Sequence, residues 1–177
     1  MTLRHKDVWT ERYRGISIEI VRWTLEGYLD VPDKPAWNYY LYLREQQIPI
    51  DLLPAVFCGI TEHTWGGKVH RFWDYTNSIL NRVFWHGGIT LYEVDGGIEG
   101  VPRVIRVGCD YMHLHDEELA HCYNEERIAN DARRTVDELW DLIPNLKVWC
   151  SDDGEYRELK DTEPRKDGYV AKNEALP

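Results

Sequence analysis

The chain has 177 residues, 43% hydrophobic and 29% charged, which is enough for one domain with a real core and ordinary for a globular protein. Its net charge of −10 argues against a general nucleic-acid binder, which needs Lys and Arg to replace phosphate counterions; it suits solubility, or docking on a basic partner. No apolar run approaches a membrane span, and Arg4, His5, Lys6 and Asp7 precede any apolar run, so neither a membrane segment nor a signal peptide is expected.

The first ten residues are polar and read as a frayed start. From Gly15 to Trp23 the pattern alternates, with Ile16, Ile18 and Ile20 on one face and Ser17 and Glu19 on the other, which predicts a half-buried strand. Gly27 to Pro35 holds turn residues. Ala36 to Leu43 predicts a second strand, aromatic-rich, with Trp37, Tyr39, Leu41 and Leu43 on a shared face. A hairpin joining the two is the simplest arrangement. The segment 46–78 is the least regular, broken by Pro49 and Pro54, with one helical turn expected over Ile50–Leu53. Trp65-Gly66-Gly67-Lys68 lacks the spacing of a phosphate loop, and Val69 follows where Ser or Thr is needed. His63, His70 and Trp73 are candidates to lean over a site, or else surface or satisfied side chains.

Phe84 to Tyr92 and Arg103 to Asp116 read as two strands joined by a Gly-rich turn around Asp95-Gly96-Gly97. If paired residue numbers sum to 196, Ile89 faces Val107 and Leu91 faces Ile105 on the core side. His86 then lies opposite Asp110 on the other face. Gly88 lies opposite Gly108, leaving a bare strip of backbone between His86/Asp110 and Thr90/Arg106. A strip of this kind marks a close-approaching ligand, or only a bulge or twist. His86, Gly87, Gly88, Thr90, Arg106, Gly108 and Asp110 are therefore the candidate ligand-binding residues, with Arg106 suited to a small anionic ligand or a partner's carboxylate. The alternative is a His–Asp hydrogen bond that merely stabilises a sheet face.

Glu117 to Cys122 predicts one turn of helix. Asn124 then caps a helix whose first turn holds Glu125 and Glu126, and whose apolar stripe is Ile128, Ala132, Val136, Leu139, Trp140 and Ile143, ending at Pro144. Leu146 to Cys150 predicts a short strand, and Glu155 to Leu159 an edge that pairs back on it. The expected fold is α+β: a mainly antiparallel sheet with one long amphipathic helix packed across one face. Residues 1–160 are read as a single α+β domain and 161–177 as a flexible charged tail, dispensable for folding.

Asp110, His113 and Asp116 are spaced three apart at the end of the second arm. With His86 they make a set of imidazoles and carboxylates suited to a divalent metal such as zinc, manganese or iron, although a solvated His/Asp-rich loop has the same composition. H-E-x-x-H is absent, and Glu118 with His121 lacks the second copy that a di-iron bundle needs. Without metal, His86 and Asp110 form a base-and-orienter pair, but Thr90 is too distant to be its nucleophile and Cys109 points to the core. Cys58, Cys109, Cys122 and Cys150 form no C-x-x-C pair and are expected to be free thiols of a reducing cytoplasm.

His86-Gly87-Gly88-Ile89-Thr90, then Gly108-Cys109-Asp110 with His113 and Asp116, then a helix, resembles a family of small, uncharacterised tailed-bacteriophage proteins. Those carry a His-Gly-Gly-[Ile/Leu]-Thr segment, a Gly-x-Asp-x-x-His-x-x-Asp segment and an amphipathic helix. The likeness spans Phe84 to Ile143; Cys109 stands where an aromatic is frequent, and the hairpin turn is longer. The resemblance implies an accessory, non-virion protein expressed in an infected bacterium. The leading functional expectation is that it acts in the host cytoplasm by binding a small ligand or a host or defence component. Two other classes stand beside it: a metal-dependent hydrolase using His86, Asp110, His113 and Asp116, and an acidic structural or decoy protein.

Overall fold

The computed structural model describes residues 3–25, 34–57, 60–65, 68–73, 75–97, 100–112, 116, 122–150 and 155–158. Its main sheet has five antiparallel strands: β1 (Leu3–Tyr13), β2 (Ile16–Leu25), β3 (Lys34–Arg44), β6 (Leu91–Asp95) and β7 (Val104–Asp110), in the order β1-β2-β3-β7-β6. Two small hairpins complete the strands, β4 (Ile60–Trp65) with β5 (Lys68–Trp73), and β8 (Lys147–Cys150) with β9 (Glu155–Glu158). A one-turn helix α1 (Leu53–Val56) lies before β4, and a long helix α2 (Glu125–Leu142) follows β7. The fold is α+β with the long helix against the sheet, as the hydrophobic periods predict. Among the described residues no helix is long and apolar enough to cross a membrane.

Alternation along the strands puts Ile16, Ile18 and Ile20 of β2 beside Tyr39, Leu41 and Leu43 of β3 and Ile105, Val107 and Cys109 of β7, all buried. Helix α2 covers this face with Ile128, Ala129, Ala132, Val136 and Leu139. Its start is set by Asn124, whose side chain accepts from Arg127 N–H at 2.9 Å. Trp140 sits at the rim, its indole N–H donating to the Arg14 carbonyl at 3.2 Å and Arg14 lying over its ring.

Three expectations are corrected. The start of the chain is not frayed: from Leu3 it forms β1, paired along its length with β2. Its core-side residues Asp7, Trp9, Glu11 and Tyr13 mix charge with aromatic surface, so the apolar period is hidden. Each charge is met by a distant partner, Asp7 by Arg22 and Glu11 by a two-pronged bond from Arg133 of α2, while Trp9 stacks on Trp37. Second, the segment 46–78 holds α1 three residues later than expected, with Pro54 in the first turn where its missing N–H is tolerated, and then the β4–β5 hairpin. The side chains of His63, His70 and Trp73 lie outside the described residues.

The third correction concerns the central hairpin. Leu91 pairs with Gly108, Tyr92 with Val107 and Val94 with Ile105, so paired numbers sum to 199 rather than 196. A slip of three is odd and turns the first arm over: Tyr92 and Val94, not Leu91, share the core side with Val107 and Ile105. Tyr92 is held there by its hydroxyl, which donates to the Val56 carbonyl at 2.8 Å. Phe84 to Ile89 is a turning segment ahead of β6 and not part of the ladder, which Thr90 joins by one backbone bond. Residues 117–121 of the expected short helix and the 161–177 tail lie outside the described residues.

Candidate functional site

The site begins with a tight turn. Gly88 N–H donates to the Trp85 carbonyl at 3.2 Å, and Gly87 and Gly88 have φ of 65° and 102°. A positive φ at the third position of a β-turn selects glycine, and the second positive φ carries the chain back toward the sheet. The tip is exposed and its two flanks are buried. On one flank Trp85 stacks on Tyr39 and donates its indole N–H to the Leu80 carbonyl at 2.7 Å. On the other, Ile89 is buried and Thr90 N–H joins the ladder through the Gly108 carbonyl at 2.9 Å.

His86 occupies the second position of this turn, and its ring is fixed on several sides. The imidazole lies flat on Tyr111, with centroids 4.0 Å apart and planes 11° from parallel. Nε2 is 2.9 Å from Asp116 Oδ1 and 3.1 Å from Oδ2. The Asp116 side chain is only 9% exposed against 23% for His86, so the carboxylate is the buried floor of the pair. Tyr123 donates its hydroxyl to Asp116 Oδ1 at 2.7 Å and meets both His86 and Tyr111 edge-on. Tyr111 in turn donates to Asp131 Oδ2 at 2.7 Å. An ionised carboxylate only accepts, so Nε2 carries the proton toward Asp116.

Burial governs the neighbouring acids. It pushes the Tyr123 hydroxyl up to about 12, helped by the bond to Asp116, and raises Tyr111 further, helped by Asp131. Burial also pushes the Cys109 thiol up to about 12. All three stay protonated near neutral pH, so the tyrosines are hydrogen-bond donors and Cys109 is held as a buried thiol. The histidine–carboxylate hydrogen bond expected of His86 and Asp110 is thus made with Asp116.

The expected site residues fall in two places. His86, Gly87, Gly88 and Thr90 share the turn. Arg106, Gly108 and Asp110 lie on the sheet face away from α2, because strand alternation opposes them to Val107, Cys109 and Tyr111. There Arg106 bonds Glu19 at 3.0 Å and Glu93 at 3.4 Å, and stacks 3.9 Å above the Tyr40 ring. The bare glycine strip does not form. A Cβ on Gly108 would collide with the Tyr39 carbonyl oxygen and the Tyr40 ring, so that glycine serves packing, while a Cβ on Gly88 would meet open space. Asp110 ends β7 by accepting from Met112 N–H at 3.2 Å.

Of the expected metal set, His86 and Asp116 are adjacent, Asp110 is on the other face, and His113 lies outside the described residues. Nitrogen and carboxylate donors of this kind fit zinc, manganese or iron, but among the described residues no three His, Cys, Asp or Glu converge on one point. Sequence reasoning missed Tyr111, Tyr123, Asp131, Thr135 and Glu138. The signal for the last three was present as a second, polar stripe on the helix, beside the apolar one. Comparison with protein-family models, with curated proteins and with solved structures finds no match to this chain.

Proposed function

We propose that this chain is a bacteriophage accessory protein that works by binding, with the turn from Trp85 to Thr90 as its binding edge and a small ligand or a host or defence component as its target in the host cytoplasm. The phage origin rests on the His-Gly-Gly-Ile-Thr and Gly-x-Asp-x-x-His-x-x-Asp segments. The binding reading rests on one observation: an imidazole held by a buried carboxylate and a stacked tyrosine, directly beneath an exposed Gly-Gly tip. A fixed polar group next to unobstructed backbone is what close recognition of a partner needs. The ligand's group facing His86 is a hydrogen-bonding one. Arg106 is a weaker anchor for an anion, since two glutamates already share its guanidinium.

The test is a thermal-shift and NMR screen of nucleotides, small anions and fractionated host extract against the labelled protein. A true ligand moves the amide signals of His86, Gly87, Gly88 and Thr90 together. Gly88→Ala puts a methyl group into that open space at a backbone cost on the order of 1–2 kcal/mol, and should weaken binding while the fold persists. A ligand that moves only signals elsewhere, or binds Gly88→Ala as well as the parent, removes this edge from the reading. The second reading, a metal-dependent hydrolase, is favoured by the adjacency of His86 and Asp116. Stoichiometric metal in untagged protein, lost in His86→Ala and His113→Ala, would support it.

A further inference from the structure

Three polar residues of α2 face the turn. Asp131, Thr135 and Glu138 are spaced four and three apart, which places them on one side of the helix. Each holds a different part of the His86 support. Glu138 accepts from the Phe84 N–H at 2.6 Å, and the Thr135 hydroxyl donates to the Phe84 carbonyl at 2.8 Å. Both backbone groups of that residue are thus held from positions 54 and 51 residues away. With its one proton committed to Phe84, Thr135 accepts from the Tyr39 hydroxyl at 2.8 Å. Asp131 holds the Tyr111 hydroxyl, and Tyr111 carries the imidazole. Arg134 reinforces the grip, lying 4.1 Å above the Phe84 ring and bonding Glu138 at 3.0 Å.

This stripe is costly for a helix that only covers a core. Thr135 is fully buried among apolar neighbours, where Val has the same shape and no hydroxyl to satisfy. A Thr in mid-helix ordinarily spends its hydroxyl on its own helix. Here the shorter bond goes to Phe84 at 2.8 Å, and the one to the Asp131 carbonyl is 3.1 Å. We infer that Asp131, Thr135 and Glu138 are positioning residues that set the place and orientation of His86. The inference deepens the binding reading and rests on it for its purpose, though not for its test.

The test reads the imidazole itself, without any ligand, in the full chain with labelled histidine. In the parent, the His86 ring shows Nε2 as its protonated nitrogen, and its carbon-bound protons are shifted by the Tyr111 ring below. Glu138→Ala and Thr135→Val should move those proton shifts toward ordinary values and leave the ring with mixed tautomers. Glu138→Gln, which keeps an oxygen to accept from Phe84, should restore the parent spectrum. Asp137→Ala removes a helix carboxylate that serves Tyr13 and Arg14 instead, and should leave the ring unchanged. Should Thr135→Val fail to fold, Glu138→Ala decides alone, because its side chain is 36% exposed and no core volume is lost. Parent-like His86 signals in a folded Glu138→Ala protein overturn the inference, as does an equal change in Asp137→Ala. Those outcomes leave the binding reading standing. Failure of every ligand to touch the turn sinks the binding reading and leaves the ring result intact.

Discussion

Replacing Asp116 with Ala tests whether the His86 support is a built structure. Among the donors to this carboxylate are the Tyr123 hydroxyl at 2.7 Å and His86 Nε2 at 2.9 Å. A hydrogen bond to a charged acceptor contributes roughly 1.5–3 kcal/mol, and a buried donor left unpaired loses about that much. Tyr123 is only 8% exposed and cannot turn to water, so its loss counts in full. His86 is partly exposed and recovers part of its bond from solvent, so its share is discounted. The total is about 2–4 kcal/mol, and at roughly 2–4 °C per kcal/mol for a chain of this size the midpoint should fall by about 4–16 °C. Asp116→Asn keeps an oxygen for Tyr123 and should lose about half as much. The assay is thermal unfolding followed by circular dichroism, with His86 ring signals as a local reporter. A midpoint for Asp116→Ala within about 2 °C of the parent would refute the reasoning.

Gly108→Ala should destabilise the sheet by about 1–3 kcal/mol or more through overpacking, since its methyl group meets the Tyr39 backbone as well as the Tyr40 ring; urea unfolding checks it, and a neutral result would mean the strands separate without cost. Glu11→Ala should cost about 2–4 kcal/mol, because the Glu11 carboxylate is 8% exposed and held two-pronged by Arg133, whereas Glu126→Ala, at 73% exposure on the same arginine, should change stability by less than about 0.5 kcal/mol. Alkaline titration should show loss of stability as pH rises from about 10 to about 12. The Tyr123 hydroxyl is pushed up to about 12 in the folded chain, so its contribution is complete below its unfolded value near 10 and lost as pH passes through the folded one. Tyr123→Phe should remove its share of that slope, with Cys109 and Tyr42, both also pushed up to about 12, retaining theirs.

The long helix and the two strands β2 and β3 were legible because each buries one regular stripe: isoleucines every second residue in β2, aromatic and leucine side chains every second residue in β3, and spacings of three and four in α2. β1 was not, because its inward charges Asp7 and Glu11 are paired with Arg22 and Arg133, partners that no local pattern shows. The hairpin register was misread for a similar reason. Ile89 is apolar and buried, as a strand residue on the core face would be, but it sits in the turn that precedes β6. Choosing it over Tyr92 as the partner of Val107 displaced the whole arm. The chain turns at Gly87 and Gly88 through their positive φ and the Trp85–Gly88 bond, and the long-range bonds from Thr135 and Glu138 hold Phe84 just ahead of that turn, which no local pattern shows.

That displacement also decides which carboxylate meets the histidine. Had the arms paired in the expected register, His86 would have shared a face with Asp110, Thr90 and Arg106, an open surface with a cation at its centre. In the observed register the turn brings His86 to the side of Tyr111, where strand alternation has already placed the ring that carries it. Asp110, one residue earlier in β7, belongs to the opposite side, and the partner comes from Asp116 beyond the strand end. The two halves of the expected cluster are thus separated by the thickness of the sheet. One half consists of Glu19 and Glu93 paired to Arg106, which lies over the Tyr40 ring. The other holds the His86 imidazole, whose ring is fixed by a carboxylate and a tyrosine, while Phe84 two residues before it is fixed by α2. Fixing it from beneath leaves the Gly87–Gly88 tip above unencumbered, so substitutions in the supports should change both stability and the His86 ring, while substitutions at the tip should leave the ring in place and change recognition, with a backbone cost of about 1–2 kcal/mol for losing a positive-φ glycine.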